Sequence, residues 1–151
     1  AAGNSAVADP FYPAALALPR GSAVPDDVPP PLVSVGARNP DNRSVALFTN
    51  DGPWVTTYRP GAAVVSTVPT SLQGGLSPTV VAAGGRSTVD RDDFSSGFAL
   101  WSGTSFAAPV LAGEIATALH ADVAWQAGGA DPDRARSAVA TALGHPGTSA
   151  P

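Results

Sequence analysis

The stretch WSGTSFAAPVLAGEIATALH, residues 101–120, carries Ser105 at the head of a long apolar run and His120 at its far end. Glu114 is the only residue with a full charge between them. A helix that is apolar nearly all round is normally buried in a protein core. The sequence therefore predicts a buried helix over residues 105–120.

A serine at the start of an apolar helix can act in two ways. Its usual role is that of a cap or first-turn residue, and position alone favours this role for Ser105. The unpaired N–H groups and the positive end of the helix dipole also suit a nucleophile whose attack creates an oxyanion. The small neighbours Gly103 and Thr104 would let a substrate backbone come close.

A second helix is marked at both of its ends. Asp131 is a preferred N-cap type, Pro132 suits the first helical position, and Gly144 stands where a C-terminal glycine is common. The apolar residues between them recur at intervals of three and four: Ala135, Ala138, Val139, Ala142 and Leu143. The sequence predicts a helix with one apolar face that packs against a core.

Short β-branched segments upstream of the serine predict strands. Residues 32–37 (LVSVGA) lie between prolines and a polar turn, which is typical of a buried strand. Residues 54–58 and 62–67 flank Arg59-Pro60-Gly61, where proline presets a turn conformation and glycine tolerates one. A further strand is predicted over residues 79–83.

Two stretches are rich in proline, glycine and polar residues and predict surface excursions. They cover residues 16–31 and residues 71–93. Prolines in the first cannot donate to a strand ladder, and the second contains the turn-forming run GGRSTVDRDD. We expect both to lie on the surface of one domain that spans residues 1–151.

Composition limits the classes of partner. A hydrophobic content of 44% with 13% charged residues predicts a folded domain with a packed core. The net charge is -4 and the eight basic residues are scattered, so we expect no nucleic-acid partner. The apolar runs are shorter than the roughly 20 residues of a membrane-spanning helix, so we expect no membrane partner.

Metal binding has little support in the sequence. The chain has no cysteine, which excludes disulfides and thiolate metal sites. Asp90, Asp92 and Asp93 could ligate calcium, but they do not follow an EF-hand-like loop pattern, so a solvated loop is the better interpretation. We expect no required cofactor, and a structural calcium is not supported by a motif.

The serine segment resembles that of a known enzyme family. GTSFAAP, residues 103–109, resembles the Gly-Thr-Ser-x-Ala-x-Pro signature around the nucleophile of the subtilisin-like serine proteases, the subtilases. AAGN, residues 1–4, is similar to the family's segment ending in the oxyanion-hole asparagine. LVSVGA, ALFTNDGPW and RPGAAVVST are similar, in order, to its valine-rich strand, its Phe-Ser-Asn-x-Gly stretch and its Ala-Pro-Gly turn. The resemblance covers most of the chain.

The resemblance implies a fold and an activity. The fold is α/β, a subtilisin-like parallel sheet with helices on both faces, of which the chain is the later part. The activity is that of a serine endopeptidase that cleaves protein or peptide substrates through an acyl-enzyme on Ser105. Asn4 and the Ser105 N–H would bind the oxyanion, and Ala1, Ala2 and Gly3 would line one wall of the pocket before the scissile bond. An extracellular location is suggested by the family alone.

The chain departs from the family in three ways. The family's closing Gly-x-Gly stretch, with the short helix that follows it, has no counterpart in GHPGTSAP, residues 144–151. Arg59 replaces the alanine of the family's turn and puts a large cation at a tight corner. The family's catalytic Asp and His segments precede the asparagine that matches Asn4, and neither histidine of this chain suits the role. His120 lies roughly 22 Å from Ser105 along a regular helix, and His145 lies in a flexible-looking tail.

The expected partner is therefore the missing N-terminal part of the same domain, which would supply the acid and the base. The chain alone is predicted to be inactive. An alternative from another class is a catalytically degenerate subtilase relative that binds peptides or a partner. The presence or absence of upstream Asp and His segments would discriminate the two.

Overall fold

The computed structural model describes residues 1–26, 29–72, 80–89, 92–122 and 131–144. In chain order the strands are β1 (Val35–Arg38), β2 (Thr57–Pro60), β3 (Val64–Thr67), β4 (Val81–Ala82), β5 (Arg86–Ser87) and β6 (Phe98–Trp101). The helices are α1 (Thr104–Ala121) and α2 (Pro132–Gly144), and a short 3₁₀ helix covers Ala14–Leu16. The chain divides into two compact units, Ala63–Trp101 and the remainder.

The larger unit is built on the parallel pair β1 and β2, in which Val35 lies opposite Thr57. Side chains alternate between the two faces of a strand. Val35 and Ala37 therefore share one face, and they form a buried cluster with Ala107 and Leu111 of α1. Helix α1 covers this face, and α2 packs against α1.

The opposite face of the pair is covered by the N-terminal segment. Tyr58 of β2 is only 1% exposed and packs in a second buried cluster with Ala2, Ala14, Trp54 and Val55. Ala14 belongs to the 3₁₀ helix, so a short helical turn lies on this side. The architecture is α/β, as predicted, although the sheets are small.

The predicted strands exist but begin later than expected. Residues 32–34 precede β1 because the Ser34 N–H donates to the Thr56 side-chain oxygen at 3.0 Å. The Thr56 hydroxyl in turn donates to the Leu18 carbonyl at 2.5 Å. Hydroxyl groups that bond to neighbouring backbone compete with a strand ladder, so regular pairing starts only at Val35 and Thr57.

The turn predicted over Arg59-Pro60-Gly61 is wrong by two residues. Arg59 and Pro60 complete β2, and the chain turns at Gly61 and Ala62, whose N–H groups both donate to the Arg38 carbonyl at 3.1 Å. Pro60 is tolerated because it is the last residue of the strand, where its missing donor disrupts little of the ladder.

The smaller unit consists of short antiparallel pairs. β3 pairs with β6, with Val65 opposite Leu100, and β4 pairs with β5. The strand predicted over residues 79–83 is present as β4, with Thr79 outside the described residues. β6 was not predicted, and the excursion over residues 71–93 supplies β4 and β5.

Both predicted helices are confirmed. The Asp131 carboxylate accepts the Asp133 N–H at 2.9 Å, which caps α2, and Ala138, Val139 and Ala142 are buried. The prediction that α1 is buried on nearly all sides is wrong. Val110 is 37% exposed, and the buried residues of the helix are Thr104, Ala107 and Leu111. The described parts of the chain cover one face of this helix. Neither helix among them is long and apolar enough to cross a membrane.

The excursion over residues 16–31 lies at the surface, yet Arg20 anchors it. The Arg20 guanidinium pairs with Asp51 at 2.6 Å, donates to the hydroxyl of Tyr58, and lies 4.8 Å from the centre of the Tyr58 ring. The Tyr58 hydroxyl also donates to Asp51. This side-chain network attaches the excursion to β2.

Candidate active site

Ser105 is the second residue of α1, and its side chain is exposed. The preceding loop is held by a hydrogen bond from the Gly103 N–H to the Gly61 carbonyl at 2.8 Å, so the turn after β2 places the helix start. The Phe106 N–H donates to the Gly103 carbonyl at 3.0 Å. Among the described residues, the Ser105 N–H has no acceptor, as is common in a first helical turn.

Asn4 caps α1 from a distant part of the chain. Its side-chain oxygen accepts the Thr104 N–H at 2.8 Å and the Thr104 hydroxyl at 3.0 Å. The Thr104 hydroxyl also accepts the Gly3 N–H at 3.1 Å. Because a backbone N–H can only donate, the Asn4 amide must present its oxygen to Thr104 and direct its NH₂ group elsewhere.

The Asn4 NH₂ group and the Ser105 N–H lie beside the same residue, Gly103. A methyl group at Gly103 would be 3.4 Å from Nδ2 of Asn4, 3.8 Å from the Ser105 nitrogen and 3.6 Å from the ring of Phe106. Nδ2 of Asn4 and the Ser105 nitrogen thus lie within 4 Å of one point, the position of that methyl group, at the positive end of an 18-residue helix, and we call the space around this point the recess. Such a recess has the chemistry to hold a small negatively charged oxygen.

The first three residues differ in exposure. Ala1 is exposed and Gly3 is partly exposed, whereas Ala2 is fully buried and its N–H donates to the Val35 carbonyl at 2.9 Å. Ala2 is therefore buried beneath the segment, and of these three residues only Ala1 and Gly3 reach the surface. A substrate wall built from this segment remains a prediction.

The described structure does not bring a histidine to Ser105. His120 lies fifteen residues further along the same helix, which corresponds to roughly 22 Å at the rise of an α-helix. His145 lies outside the described residues. The carboxylates are also dispersed: the part of the chain that the structure describes contains no group of three His, Cys, Asp or Glu side chains that could hold a metal ion.

Asp93 of the acidic stretch has a local structural role. Its carboxylate accepts the Ser95 N–H at 2.9 Å, which closes a turn before β6. Asp90 lies outside the described residues. The preference for a solvated loop over a calcium site in this stretch stays a prediction.

Arg59, the departure from the family's turn, is accommodated by Glu114. Arg59 is 5% exposed, and its Nε and Nη2 approach the Glu114 carboxylate of α1 at 2.8 and 2.7 Å. Nη2 also donates to the Ala142 carbonyl of α2 at 2.8 Å. Arg59 therefore lies at a junction of β2, α1 and α2, and not in a corner too tight for it. Its partner Glu114 was not assigned a role from the sequence.

Two groups near the site were missed by the sequence analysis. Asn50 is fully buried and contacts both neighbours of Asn4.

The next residue, Asp51, has a shifted pKa. Burial raises the pKa of Asp51, but hydrogen bonds from Tyr58 and Arg20 outweigh that effect and hold the pKa of this carboxyl below its usual value. The pKa of the Tyr58 hydroxyl is raised by burial and by the adjacent Asp51. The FTNDG stretch placed Asn50 and Asp51 in a family motif, but nothing in the motif indicates that Asn50 binds Ser5 or that Asp51 binds Arg20 and Tyr58.

Comparison with known proteins identifies the class to which this arrangement belongs. The model of a family of serine peptidases, the subtilases, matches residues 1–144. The chain belongs to the subtilase family, which confirms the resemblance seen in GTSFAAP and AAGN. None of the curated proteins matches the chain significantly.

Proposed function

We propose that the protein to which this chain belongs is a serine endopeptidase that hydrolyses peptide bonds through an acyl-enzyme on Ser105. The recess beside Gly103 carries the proposal, since Nδ2 of Asn4 and the Ser105 N–H both border it. Donors fixed before the reaction stabilise an oxyanion without reorganising. Peptides or proteins are the proposed substrates, and the reaction requires no cofactor.

In the proposed reaction the Ser105 hydroxyl oxygen attacks the carbonyl carbon of the scissile bond. Its proton passes to a histidine base, and the oxyanion accepts hydrogen bonds from Asn4 and the Ser105 N–H. Collapse of this intermediate returns the proton to the leaving amine and forms an ester with Ser105. Water, activated by the same base, then hydrolyses the ester and releases the acid.

The base and its carboxylate partner are proposed to come from an upstream part of the same domain. The separation of His120 from Ser105 supports this, since the described histidine cannot reach the serine. The exposed side of α1 offers further support, because Val110 and several alanines of this helix are uncovered within the described residues. An upstream segment would bury that side.

The test is covalent labelling of the complete natural protein by a fluorophosphonate probe. We expect labelling of the wild type, loss of labelling in Ser105→Ala, and retention in Ser102→Ala, an exposed serine three residues earlier. Labelling that survives in Ser105→Ala would refute the assignment of the nucleophile. A wild type that takes up no probe would favour the alternative of a peptide-binding relative without catalysis.

A further inference from the structure

Asn50 is a fully buried residue that grips the backbone on both sides of Asn4. Its own N–H donates to the Gly3 carbonyl at 2.9 Å. Its side-chain oxygen accepts the Ser5 N–H at 2.8 Å and the Val7 N–H at 3.5 Å. The residues before and after Asn4 are therefore bound to one side chain and its backbone, 45 residues away in the sequence.

The two ends of the Asn50 amide are used unequally. The oxygen accepts from two amides, whereas Nδ2 has no partner within the described residues although it is buried. Leaving a buried donor without a partner destabilises the folded state. The Asn50 side chain therefore stabilises the structure through its oxygen, which binds the backbone of the segment that carries Asn4.

Gly3 allows Asn50 to approach this backbone segment closely. Its φ of 104° lies in a region that favours glycine, and a methyl group at Gly3 would overlap Nδ2 of Asn50. Asn50 fixes the backbone of Asn4 in this way, while Thr104 fixes its side-chain oxygen at 2.8 Å. Because the backbone around Asn4 and its side-chain oxygen are both hydrogen-bonded, the NH₂ group of Asn4 is held beside Gly103.

We propose that Asn50 is a positioning residue for oxyanion binding, acting through Asn4. The proposal rests on the proposed function, because it assumes that Asn4 donates to the oxyanion. Asn50 does not border the recess and needs no contact with substrate. Its effect on catalysis is therefore bounded by the effect of removing the Asn4 amide altogether.

A double-mutant cycle on kcat in the complete natural protein tests this proposal. Asn4→Ala should lower kcat by about 100- to 1,000-fold with little change in KM, the loss known for removing such a donor in subtilisin, a member of the same family. Asn50→Leu should lower kcat by about 10- to 100-fold, because small misplacements of catalytic groups have large effects on rate. In the Asn4→Ala background, Asn50→Leu should lower kcat no further.

Two controls separate positioning from general stability. Asn50→Asp keeps an acceptor for Ser5 and Val7 and should restore most of kcat. Thr56→Val removes a buried hydroxyl that accepts the Ser34 N–H at 3.0 Å, away from Asn50, and should lower the thermal midpoint with kcat unchanged. If Asn50→Leu does not fold, Asn50→Ser takes its place in the cycle with the same expectations, since its shorter side chain cannot reach both amides.

Each outcome decides between the two proposals. If Asn4→Ala leaves kcat unchanged, the oxyanion role fails and the positioning role fails with it. If Asn4→Ala slows turnover but Asn50→Leu multiplies that loss in the double variant, only the positioning role is refuted. An Asn50→Asp variant as slow as Asn50→Leu would also refute it, because the acceptor would then not be what matters.

Discussion

Arg59 and Glu114 form an ion pair in which Nε of the arginine contacts both carboxylate oxygens, at 3.0 and 2.8 Å, and Nη2 contacts one of them. The closest approach is 2.7 Å, and the side chains are 6% and 34% exposed. The remaining Arg59 donor, Nη1, bonds to the Thr57 hydroxyl at 2.8 Å and the Tyr58 carbonyl at 2.9 Å. All donor nitrogens of this buried cation have acceptors, which is the condition under which a buried charge is tolerated.

Removing one partner of this pair should be more harmful than removing both. We expect Arg59→Met to lower the free energy of unfolding by about 3 kcal/mol, because it leaves the Glu114 carboxylate without its cation. Adding Glu114→Leu should recover about 1–2 kcal/mol of that loss, the coupling typical of contacting residues. Urea unfolding of the complete protein measures both values.

Arg136→Met provides the matched control. Arg136 pairs with Asp133, whose side chain is 76% exposed, and surface pairs contribute at most about 1 kcal/mol. A loss at Arg136 as large as that at Arg59 would show that burial does not distinguish the two pairs. Strict additivity of Arg59→Met and Glu114→Leu would show that the pair contributes no coupling.

Filling the recess at Gly103 should affect catalysis more than stability. A methyl group there meets its neighbours at ordinary contact distances of 3.4 to 3.8 Å, and the φ of 163° is extended backbone that any residue adopts. Gly103→Ala should therefore fold, yet its methyl would occupy the space between the two donors. We expect kcat to fall by about tenfold or more with a small change in thermal midpoint.

Gly3→Ala is the contrasting variant. It combines a φ of 104° with an overlap on Asn50, so the free energy of unfolding should fall by about 1–3 kcal/mol. The two variants are compared by kcat and by thermal midpoint in the same complete protein. A Gly103→Ala enzyme with the turnover of the wild type would place the oxyanion away from this recess.

The loss of folding stability at acid pH should depend in part on Asp51. The pKa of this carboxyl is lower in the folded state than its usual value of about 4, so its contribution is present above that value and is lost as pH falls through the folded pKa. Asp51→Asn should thus be less stable than wild type near neutrality, and the difference should shrink as the pH falls below about 4. Urea midpoints measured from pH 7 to pH 2.5 follow this difference.

Other depressed carboxyls, Asp41 and Asp131, are common to both proteins, so their titration cancels in the comparison. A difference between wild type and Asp51→Asn that is independent of pH would mean that the side chain acts by shape and not by charge. An increase of the difference in acid would contradict the sign of the pKa shift.

The sequence predicted elements whose signals are local, and it missed contacts that join distant segments. The bounds of α2 follow from Asp131, which directly precedes the helix, and from Gly144, which is its last residue. The late starts of β1 and β2 depend on the Thr56 side chain, which bonds to Ser34 and Leu18, 22 and 38 residues away. Propensity and periodicity carry no record of such partners.

The candidate site divides in the same way. Ser105 and Asn4 could be named from short motifs, because each motif is contiguous. The donors that orient Asn4, and the acceptor that holds its neighbours, come from Thr104 and Asn50, which are 100 and 46 residues along the chain from it. Arg59 seemed misplaced in sequence because its partner Glu114 lies 55 residues away.

The 151-residue chain expressed by itself should hydrolyse no peptide substrate above background. Ser105 needs a base, and His120 lies roughly 22 Å away along α1. Without the base, a serine triad retains only the rate that the oxyanion site and substrate binding provide. The uncovered side of α1, which includes Val110, should also make the isolated chain poorly soluble.

Adding the upstream part of the same protein, either in one chain or as a separate chain, should restore both solubility and turnover. The measurement is cleavage of an unstructured protein substrate, with the Ser105→Ala form of each preparation as the control. Restored cleavage that disappears in Ser105→Ala would place the base upstream, as proposed. Cleavage by the isolated chain that depends on Ser105 would show instead that a base lies within these 151 residues, and replacing His120 and His145 by alanine in turn would identify it.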